Sequence, residues 1–464
     1  MERNILDRDV VGCVLDNSAI WGENGYIQIF WGEEDSKKLN EDGKKLLVEE
    51  NRKKVLAEQR KTISLYWEQV NELLESLKDN NQEKIAEAYD KYSYALRRIY
   101  AHFITSTEAP SFEIEDRLKE LVREKYPDRF DEVYISLTTP NEDDALAIEK
   151  KAWLEVIKNP DKYRILSHYR RYSVVLANIF SDEDVLKLGE RRLNECTLEA
   201  VQKEIEESQK QKDATISKKS QFLNEINSKE VEQMSEFLCN IAILRLGLKH
   251  CWNGESFHLL PLFQKVAELA DVSVRDIYMF YTRQEISDLL HGKPSIDKET
   301  LEKRKKYCLL HYHYPKIDVY DGEEALEAKK RILDASLPKQ DVKSFKGSIA
   351  NKGRVLGRAR IVRFDNPHKV KEISNSLTKE DILVTGMTNP TMIPLINKVS
   401  GIITDEGGIA CHAAIISREF NLPCIVGSSV ATHILQDGEF IELDANTGIV
   451  KRLTEEEYLK LKSQ

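Results

Sequence analysis

The distribution of glycine along the chain constrains its fold more than any other feature of the sequence. Ten of the twenty glycines precede residue 346 and ten follow it, although the second part holds only about a quarter of the 464 residues. Glycine destabilises helix interiors and permits tight turns, so the first part is expected to be helical and the second rich in strands and turns. We therefore predict an α + α/β protein with two domains, residues 1–340 and 341–464.

The N-terminal domain is predicted to be mainly helical. Apolar residues recur at the 3.6-residue helical period from Lys37 to Asn80. The same period predicts further helices over residues 81–108, 142–158, 161–180, 184–228, 230–250, 255–270, 272–290, 297–308 and 322–334. Residues 10–32 differ, because their composition predicts short strands around an Asn-Gly turn at 24–25.

Two stretches of this domain carry more specific expectations. Residues 279–281 are predicted to be briefly extended before a helix restarts at Thr282, where Glu285 completes a capping box. The segment from Glu190 to Lys229 is the most charged part of the chain and fits either an antiparallel helical hairpin or one long exposed helix. Its polar face is either simply solvated or a binding site for a partner.

The C-terminal domain is predicted to be a compact arrangement of short strands and helices. Strands are expected within 347–362, at 381–386, 400–405 and 424–427, and in a closing hairpin over 440–453. Helices are expected near 367–374, 388–396 and 412–420.

Composition and charge restrict the class of function. The net charge of −10 and the isoelectric point near 5.7 argue against a protein that binds nucleic acids or anionic membranes, since such partners select a basic face. We find no apolar run of about 18 residues and no signal-peptide pattern, which predicts a cytoplasmic protein. Seven cysteines without any CxxC pair are typical of reduced thiols. No metal site is predicted, and the His311-x-His313 pair is interpreted as a strand or loop feature.

One histidine lies where a phosphoryl group could be held. His412 follows the pair Gly407-Gly408 and opens an apolar helix. A helix N-terminus offers free backbone N–H groups and a partial positive charge to an anion, and glycines allow the backbone to approach closely. Thr404 ends the preceding strand, and its hydroxyl is a reasonable partner for the imidazole. Arg418 is expected on the opposite helix face, pairing with a glutamate or the backbone rather than with a phosphate.

The residues alone leave a second interpretation of His412 open. A histidine at a helix start can also be a capping or merely polar side chain. The wider stretch from Thr404 to Gly427, TDEGGIACHAAIISREFNLPCIVG, is more specific. It resembles the signature of the phosphohistidine swivelling domain of phosphoenolpyruvate-utilising enzymes, a family that includes phosphoenolpyruvate synthase, pyruvate phosphate dikinase and rifampicin phosphotransferase. The matching positions are Thr404, Gly407, Gly408, His412, Ala413, Ala414, Ile415, Arg418, Glu419, Pro423, Ile425, Val426 and Gly427.

The resemblance covers about residues 347–453 and implies a β/β/α swivelling domain in which His412 accepts a phosphoryl group and passes it on. It implies catalytic or supporting roles for Thr404, Gly407 and Gly408. Two positions depart from the pattern. Ala410 replaces the regulatory threonine of the synthase and dikinase, so regulation by phosphorylation there is not expected. Glu406 replaces a basic residue that is common in the synthase, so an anion contact from that position is not expected.

Domain order leads to a hypothesis about the whole chain. The synthase and dikinase continue into a pyruvate-binding barrel, for which the residues after the motif leave no room, and no ATP-grasp or GxxxxGK[ST] pattern precedes it. The helical region more weakly resembles the acceptor domain of rifampicin phosphotransferase. We therefore expect a separate ATP-grasp subunit to bind ATP and Mg²⁺ and to phosphorylate His412, with a small molecule as the acceptor.

The acceptor-binding residues are predicted from one helix face. Arg245 and Lys249 lie four residues apart and are candidates to bind the transferred phosphate, although an ordinary solvated basic stripe has the same pattern. Tyr281 and His250 are weaker candidates. An alternative function also stays open, in which the chain is a non-catalytic phosphohistidine carrier or an interaction protein with a relic mobile domain.

Overall fold

The computed structural model describes residues 17–23, 26–31, 33–79, 81–107, 109–176, 179–313, 316–332, 342–362, 373–388, 392–407, 411–428 and 430–463. The chain forms two compact units, Met1–Lys329 and Lys330–Gln464. The domain boundary predicted at residue 340 lies outside the described residues and stays a prediction. The first unit is mainly helical and the second is built around a large sheet, as the sequence predicts.

Sixteen helices are described before residue 333. They are α1 (Glu33–Lys45), α2 (Glu49–Ser76), α3 (Gln82–Thr107), α4 (Ala109–Lys125), α5 (Phe130–Thr138), α6 (Ala145–Lys158), α7 (Lys162–Arg171), α8 (Asp182–Glu195), α9 (Leu198–Ile226), α10 (Lys229–Trp252), α11 (Glu255–His258), α12 (Leu260–Ala270), α13 (Val274–Phe280), α14 (Arg283–Leu290), α15 (Lys298–Lys306) and α16 (Glu323–Ile332). Serine, threonine or aspartate side chains cap the N-termini of many of them. The capping residues are Asp144, Asp161, Ser181, Thr197, Ser228, Ser273, Thr282 and Asp297.

A small antiparallel sheet completes the first unit. It consists of β1 (Asn17–Glu23), β2 (Tyr26–Trp31), β3 (Tyr307–His313) and β4 (Lys316–Asp321), in the order β2-β1-β3-β4. The prediction of short strands near 10–32 is confirmed for β1 and β2, whereas the turn at 24–25 lies outside the described residues. The largest core of the unit packs α2, α3, α10, α12 and α14 together through aromatic and aliphatic side chains such as Tyr66, Tyr92, Leu248 and Phe263.

Several predicted helices differ from the structure. The prediction of unbroken helix over 37–80 is wrong, because the chain leaves the helical conformation between α1 and α2. At this break, the buried Arg52 guanidinium donates hydrogen bonds to the carbonyls of Leu46 (2.8 Å) and Leu47 (2.9 Å). The single helix over 184–228 is also wrong, because Thr197 caps a new helix, α9, which holds most of the charged segment. Helices α4 and α5 were not predicted, and the helix over 161–180 ends at Arg171.

The capping box at Thr282 is confirmed. The hydroxyl of Thr282 accepts the Glu285 backbone N–H at 3.2 Å, and the Glu285 carboxylate accepts the Thr282 N–H at 2.7 Å. The predicted extended piece before it is shorter than expected, since α13 continues to Phe280 and leaves Tyr281 alone in an extended conformation.

The second unit contains eight strands, four short helices and a helical stretch at 373–376 among its described residues. The strands are β5 (Ser344–Lys346), β6 (Ser348–Asn351), β7 (Arg354–Ile361), β8 (Asp381–Thr385), β9 (Gly401–Thr404), β10 (Cys424–Val426), β11 (Phe440–Asp444) and β12 (Ile449–Arg452). The helices are α17 (Ile393–Ile396), α18 (His412–Glu419), α19 (Ala431–Ile434) and α20 (Glu455–Lys462). The predicted helix near 367–374 falls mostly on residues 363–372, which lie outside the described part, but its last two residues belong to a helical stretch at 373–376.

The strand order shows that the large sheet closes on itself. The order is β5-β12-β11-β7-β8-β9-β10-β6, so β5 and β6 lie at opposite ends although Gly347 alone separates them. The Gly347 N–H donates to the Gly448 carbonyl at 3.0 Å, and a Cβ on Gly347 would lie 2.6 Å from the Ile425 side chain. Gly347 thus contacts both the turn before β12 and strand β10, and these two contacts join the ends of the sheet.

Candidate functional site

The candidate site lies where a central strand of the second unit leads into α18. Strand β9 is fully buried and runs parallel to both β8 and β10, and α18 connects it to β10. In sheets of this kind, ligands bind beyond the carboxyl ends of parallel strands, where helix N-termini also meet. Thr404 is the last residue of β9 and is completely buried.

The backbone after Thr404 continues to pair with the end of β8. The Asp405 N–H donates to the Thr385 carbonyl at 3.1 Å, and the Glu406 N–H donates to the Gly386 carbonyl at 2.8 Å. The Thr404 hydroxyl donates to the Glu406 carbonyl at 2.7 Å. Its hydrogen is therefore engaged, and its remaining lone pair can serve only as an acceptor.

Two glycines allow the turn and the exit of β10 to lie close together. Gly407 has a φ of +106°, and a Cβ at this position would lie 2.8 Å from the Cys411 sulfur. Gly427 has a φ of +67°, and its Cβ would lie 2.9 Å from the Gly407 carbonyl oxygen. Only glycine adopts such angles without strain, which explains the type of residue at both positions. Gly408, another predicted site residue, belongs to the stretch 408–410, which lies outside the described residues.

His412 is the first residue of α18. Cys411 occupies the N-cap position, and its side chain does not cap the amide groups of the first turn. Behind the histidine, Ala413 and Ala414 are buried against the core that also contains Ile402 and Val426. The small alanines let the helix start pack directly on the sheet, and the first backbone N–H groups of α18 have no acceptor within the helix.

The opposite end of α18 is anchored to β6. The Asn351 amide donates to the carbonyls of Ser417 (3.2 Å) and Leu422 (2.9 Å). The Arg418 guanidinium donates to the Ala350 carbonyl at 3.1 Å, which confirms the prediction that this arginine pairs with the backbone. These bonds fix the direction of α18 relative to the sheet.

A buried carboxylate that the sequence analysis missed braces the turn. Asp405 accepts hydrogen bonds from the Ser428 hydroxyl (2.9 Å) and from both the backbone N–H and the hydroxyl of Thr432. It is only 8% exposed. Its position directly after a buried strand was the available signal, but its partners lie more than twenty residues away. Asp405 therefore ties the residue next to Thr404 to the segment that follows β10.

This geometry agrees with a comparison against known families. Residues 377–448 match the mobile domain of PEP-utilising enzymes. The matched residues all lie in the second unit. The matched residues include β8, β9, α18 and β10, so the turn and His412 lie within the domain.

Curated relatives are also similar to part of the chain. A probable phosphoenolpyruvate synthase of Methanothermobacter thermautotrophicus is 40% identical over 138 residues, which cover 28% of this chain and 19% of the relative. A probable phosphoenolpyruvate synthase of Archaeoglobus fulgidus is 34% identical over 183 residues, 39% of this chain and 22% of the relative. An uncharacterized phosphotransferase, YvkC of Bacillus subtilis, is 32% identical over 199 residues, 41% of this chain and 22% of the relative.

The matches are partial in both directions. The chain spans about a fifth of the length of these curated relatives. A solved structure, aconitase X of Thermococcus kodakaraensis, differs in coverage: the alignment takes in 24% of this chain and 100% of that chain, with 17% identity and a TM-score of 0.18. Among the described helices, none is both long and apolar enough to cross a membrane.

Outside the mobile domain, the two predicted acceptor residues lie around one aromatic ring. The guanidinium of Arg245 lies 5.6 Å from the centre of the Phe103 ring, and the ammonium of Lys249 lies 5.9 Å from it. The ring of Trp252 contacts the same phenylalanine edge-on at 4.6 Å and stacks on Tyr100 at 5.2 Å. The structure thus brings Arg245 and Lys249 together, on half-buried aromatic side chains.

The weaker candidates in this unit have structural partners. The hydroxyls of Tyr281 and Ser295 are 2.8 Å apart. The His250 ring packs against Trp67 at 5.1 Å, and burial lowers its pKa.

The first unit also contains a buried ionic cluster that the sequence did not reveal. The Arg283 guanidinium donates two parallel hydrogen bonds of 3.1 Å to the carboxylate of Glu255, which is almost fully buried. The Tyr92 hydroxyl donates to the same carboxylate. Nearby, Tyr66 and His258 form a hydrogen bond of 3.1 Å, and burial lowers the pKa of His258 to about 4. Because its carboxylate is satisfied by three donors, this cluster can stay ionised inside the core.

A third group joins the two histidines that the sequence analysis had set aside. His311 and His313 lie on β3, and Asp318 lies on β4 directly opposite His311. The ligand atoms of the three side chains all lie within 4.8 Å of one another. The hydrogen bond between His313 and Asp318 (2.6 Å) lowers the pKa of Asp318. Asp318 lies beside the two histidines because of the register between β3 and β4, which cannot be predicted from the sequence alone.

Proposed function

We propose that this chain is the phosphohistidine component of a phosphotransferase, acting in the cytoplasm. In this proposal His412 receives a phosphoryl group from a separate ATP-grasp subunit, which binds ATP and Mg²⁺, and transfers it to a small-molecule acceptor. The observation that carries the proposal is the position of His412 at the N-terminus of α18, the helix that connects the buried parallel strands β9 and β10, within the mobile-domain match.

The backbone around His412 suits a phosphorylated imidazole. The amide groups at the start of α18 would donate to the phosphoryl oxygens, and the helix end would stabilise their negative charge. The hydroxyl of Thr404 already donates to the Glu406 carbonyl, so it can accept a hydrogen bond from the N–H of one ring nitrogen but cannot donate one to the ring. We assign Thr404 this positioning role, which keeps the other ring nitrogen unprotonated and nucleophilic.

The reaction balances as two displacements at phosphorus. In the first, the free lone pair of the imidazole attacks the γ-phosphorus of ATP, the bond to the bridging oxygen breaks, and ADP leaves with the bond electrons. In the second, an acceptor oxygen attacks the same phosphorus, the N–P bond breaks, and the acceptor proton passes to solvent or a base. The imidazole is regenerated in its starting tautomer.

The acceptor would bind at the Phe103 ring. Arg245 and Lys249 supply two positive charges within about 6 Å of the centre of one aromatic ring, which suits an anionic or newly phosphorylated acceptor with an apolar part. The names of the relatives, phosphoenolpyruvate synthase and phosphotransferase, support phosphoryl transfer as the class of reaction.

Phosphate labelling tests the role of His412. We would incubate the full chain with γ-labelled ATP, with and without a candidate ATP-grasp protein, and with labelled phosphoenolpyruvate. We expect acid-labile, base-stable label with ATP plus the ATP-grasp protein, and its complete loss in His412→Gln. His433→Gln, which changes the other described histidine of the second unit, is the matched control and should label normally.

The arms of this experiment separate the parts of the proposal. Label that persists in His412→Gln, or no label from any donor, would contradict the phosphohistidine role. Label from ATP alone would retain His412 but contradict the need for a separate subunit. For the acceptor site, Arg245→Gln and Lys249→Gln should leave labelling of His412 unchanged and slow the discharge of the label to the acceptor.

A further inference from the structure

We propose that His311, His313 and Asp318 form a binding site for a divalent transition-metal ion, best suited to Zn²⁺. The site is independent of the phosphoryl chemistry proposed above, and it lies in the first unit, on the sheet that β1, β2, β3 and β4 form.

Strand geometry places the three side chains on one face. His311 and His313 are two residues apart on β3, so both point to the same side of the sheet. Asp318 is the direct partner of His311 on the antiparallel strand β4, and directly paired residues share a face. The two imidazole rings are 5.0 Å apart between centroids. Two imidazoles and one carboxylate thus converge from two adjacent strands.

The distances require little rearrangement. All three ligand atoms already lie within 4.8 Å of one another, and His313 and Asp318 are in hydrogen-bond contact at 2.6 Å. A tetrahedral Zn²⁺ has bonds of about 2.0–2.2 Å to nitrogen and oxygen, which puts neighbouring ligand atoms about 3.5 Å apart. Small side-chain rotations would therefore open the hydrogen bond and bring His311 inward. The ion would replace the hydrogen bond between His313 and Asp318, with the His313 imidazole in the tautomer that leaves the coordinating nitrogen unprotonated.

The surroundings leave space for an ion and for a fourth ligand. The side chains of His313 and Asp318 are 41% and 43% exposed, so an ion can enter and water can complete the coordination. On the other side of β3, the small residue Ala19 is paired with His311. The Tyr320 hydroxyl lies 3.5 Å from the carboxylate of Asp318 and can orient it. Lys316 pairs with His313 but is exposed, so its charge can be held in solvent.

Three protein ligands with an open position are typical of zinc sites that bind water or an anion. The alternative is an ordinary histidine–aspartate pair at the surface. The chain supplies a matched example of that alternative, since His291 and Asp90 are 2.9 Å apart and are 41% and 48% exposed. Among the described residues, no third ligand group lies close enough to His291 and Asp90 to form a metal site with them.

Metal titration of the full chain tests the proposal. After treatment with a chelator, Zn²⁺ binding would be measured by calorimetry, and Co²⁺ binding by the intensity of its visible absorption, which reports coordination geometry. We expect one saturable site per chain. His311→Gln, His313→Gln and Asp318→Asn should each weaken Zn²⁺ binding at least tenfold, whereas His291→Gln should leave it unchanged.

Hydrogen exchange supplies a second readout that is independent of affinity. Because the ion would tie β3 to β4, Zn²⁺ should slow amide exchange over residues 307–321 in the wild type and in His291→Gln, but not in His313→Gln. Circular dichroism would establish that the variants are folded. Absence of a saturable site, or equal binding by wild type and His313→Gln, would overturn the proposal, because the ion would then be absent or held by other groups such as cysteine thiols.

Discussion

The turn that precedes His412 should not tolerate a side chain at Gly407. In Gly407→Ala, the alanine would have to adopt a φ of +106°, which costs about 1–3 kcal/mol for a residue other than glycine. Its Cβ would also lie 2.8 Å from the Cys411 sulfur, and displacing that sulfur from its rotamer costs about 0.5–1.5 kcal/mol. We therefore expect the second unit to lose about 2–4 kcal/mol of stability.

Cys424 reports the stability of this unit specifically. All five tryptophans lie before residue 330, so tryptophan fluorescence follows only the first unit. The thiol of Cys424 is fully buried, and burial raises its pKa to about 12, so alkylation requires the unit to open. A loss of 2–4 kcal/mol predicts a rate of Cys424 alkylation, read by peptide mass spectrometry, about 30- to 1,000-fold higher in Gly407→Ala.

A double-mutant cycle separates the steric part from the backbone strain. Cys411→Ala removes the sulfur that the new methyl group would meet but leaves the φ angle unchanged. Gly407→Ala should therefore cost about 0.5–1.5 kcal/mol less in the Cys411→Ala background than in the wild type. A rate of Cys424 alkylation within twofold of wild type would refute the argument from strain. Absence of coupling in the cycle would refute the contact with Cys411.

Three further predictions concern the first unit. Glu149→Gln should destabilise it by about 2–3 kcal/mol at pH 7, with a smaller effect in acid. Burial opposes the ionisation of Glu149, but hydrogen bonds from His168 and Arg192 lower its pKa, so its stabilisation is lost as the pH falls through that lowered value. Urea unfolding followed by the tryptophan fluorescence of the first unit measures this effect. The wild type should lose up to about 3 kcal/mol of stability between pH 6.5 and about 4, because buried His258 binds a proton less readily in the folded state than in the unfolded state. His258→Gln should remove this loss from the pH dependence of urea unfolding. A smaller loss in the wild type than in the variant would contradict the prediction. Arg283→Lys should lower the free energy of unfolding of the first unit by about 2–4 kcal/mol, because lysine cannot make both hydrogen bonds to Glu255. An unchanged midpoint of urea unfolding would show that one hydrogen bond suffices.

The features that sequence reasoning recovered depend on neighbours along the chain. The capping box of Thr282 and Glu285 lies within four residues, so the residue types alone specify it. The helix that begins at His412 follows from the apolar spacing after a glycine pair. The separation of helical and strand-rich regions follows from glycine, whose backbone preferences act locally.

The features that were missed depend on residues distant in sequence. The break before α2 is held by the buried Arg52, whose bonds to two backbone carbonyls are not visible in an amphipathic pattern. Asp405 is paired with Ser428 and Thr432, on the far side of α18 and β10. Asp318 faces His311 only because β3 and β4 adopt one particular register, and a shift of one residue would place it on the opposite face.

The closed sheet of the second unit determines where this domain can be cut for study on its own. A fragment limited to the family match, residues 377–448, would lack β5, β6, β7 and β12. Strand β8 would then lose its partner β7, and β10 would lose β6, so two hydrophobic strands would present unpaired backbone groups to solvent. Exposed edges of this kind promote aggregation between chains. A soluble fragment that can report on His412 must therefore begin before Ser344 and continue beyond Arg452.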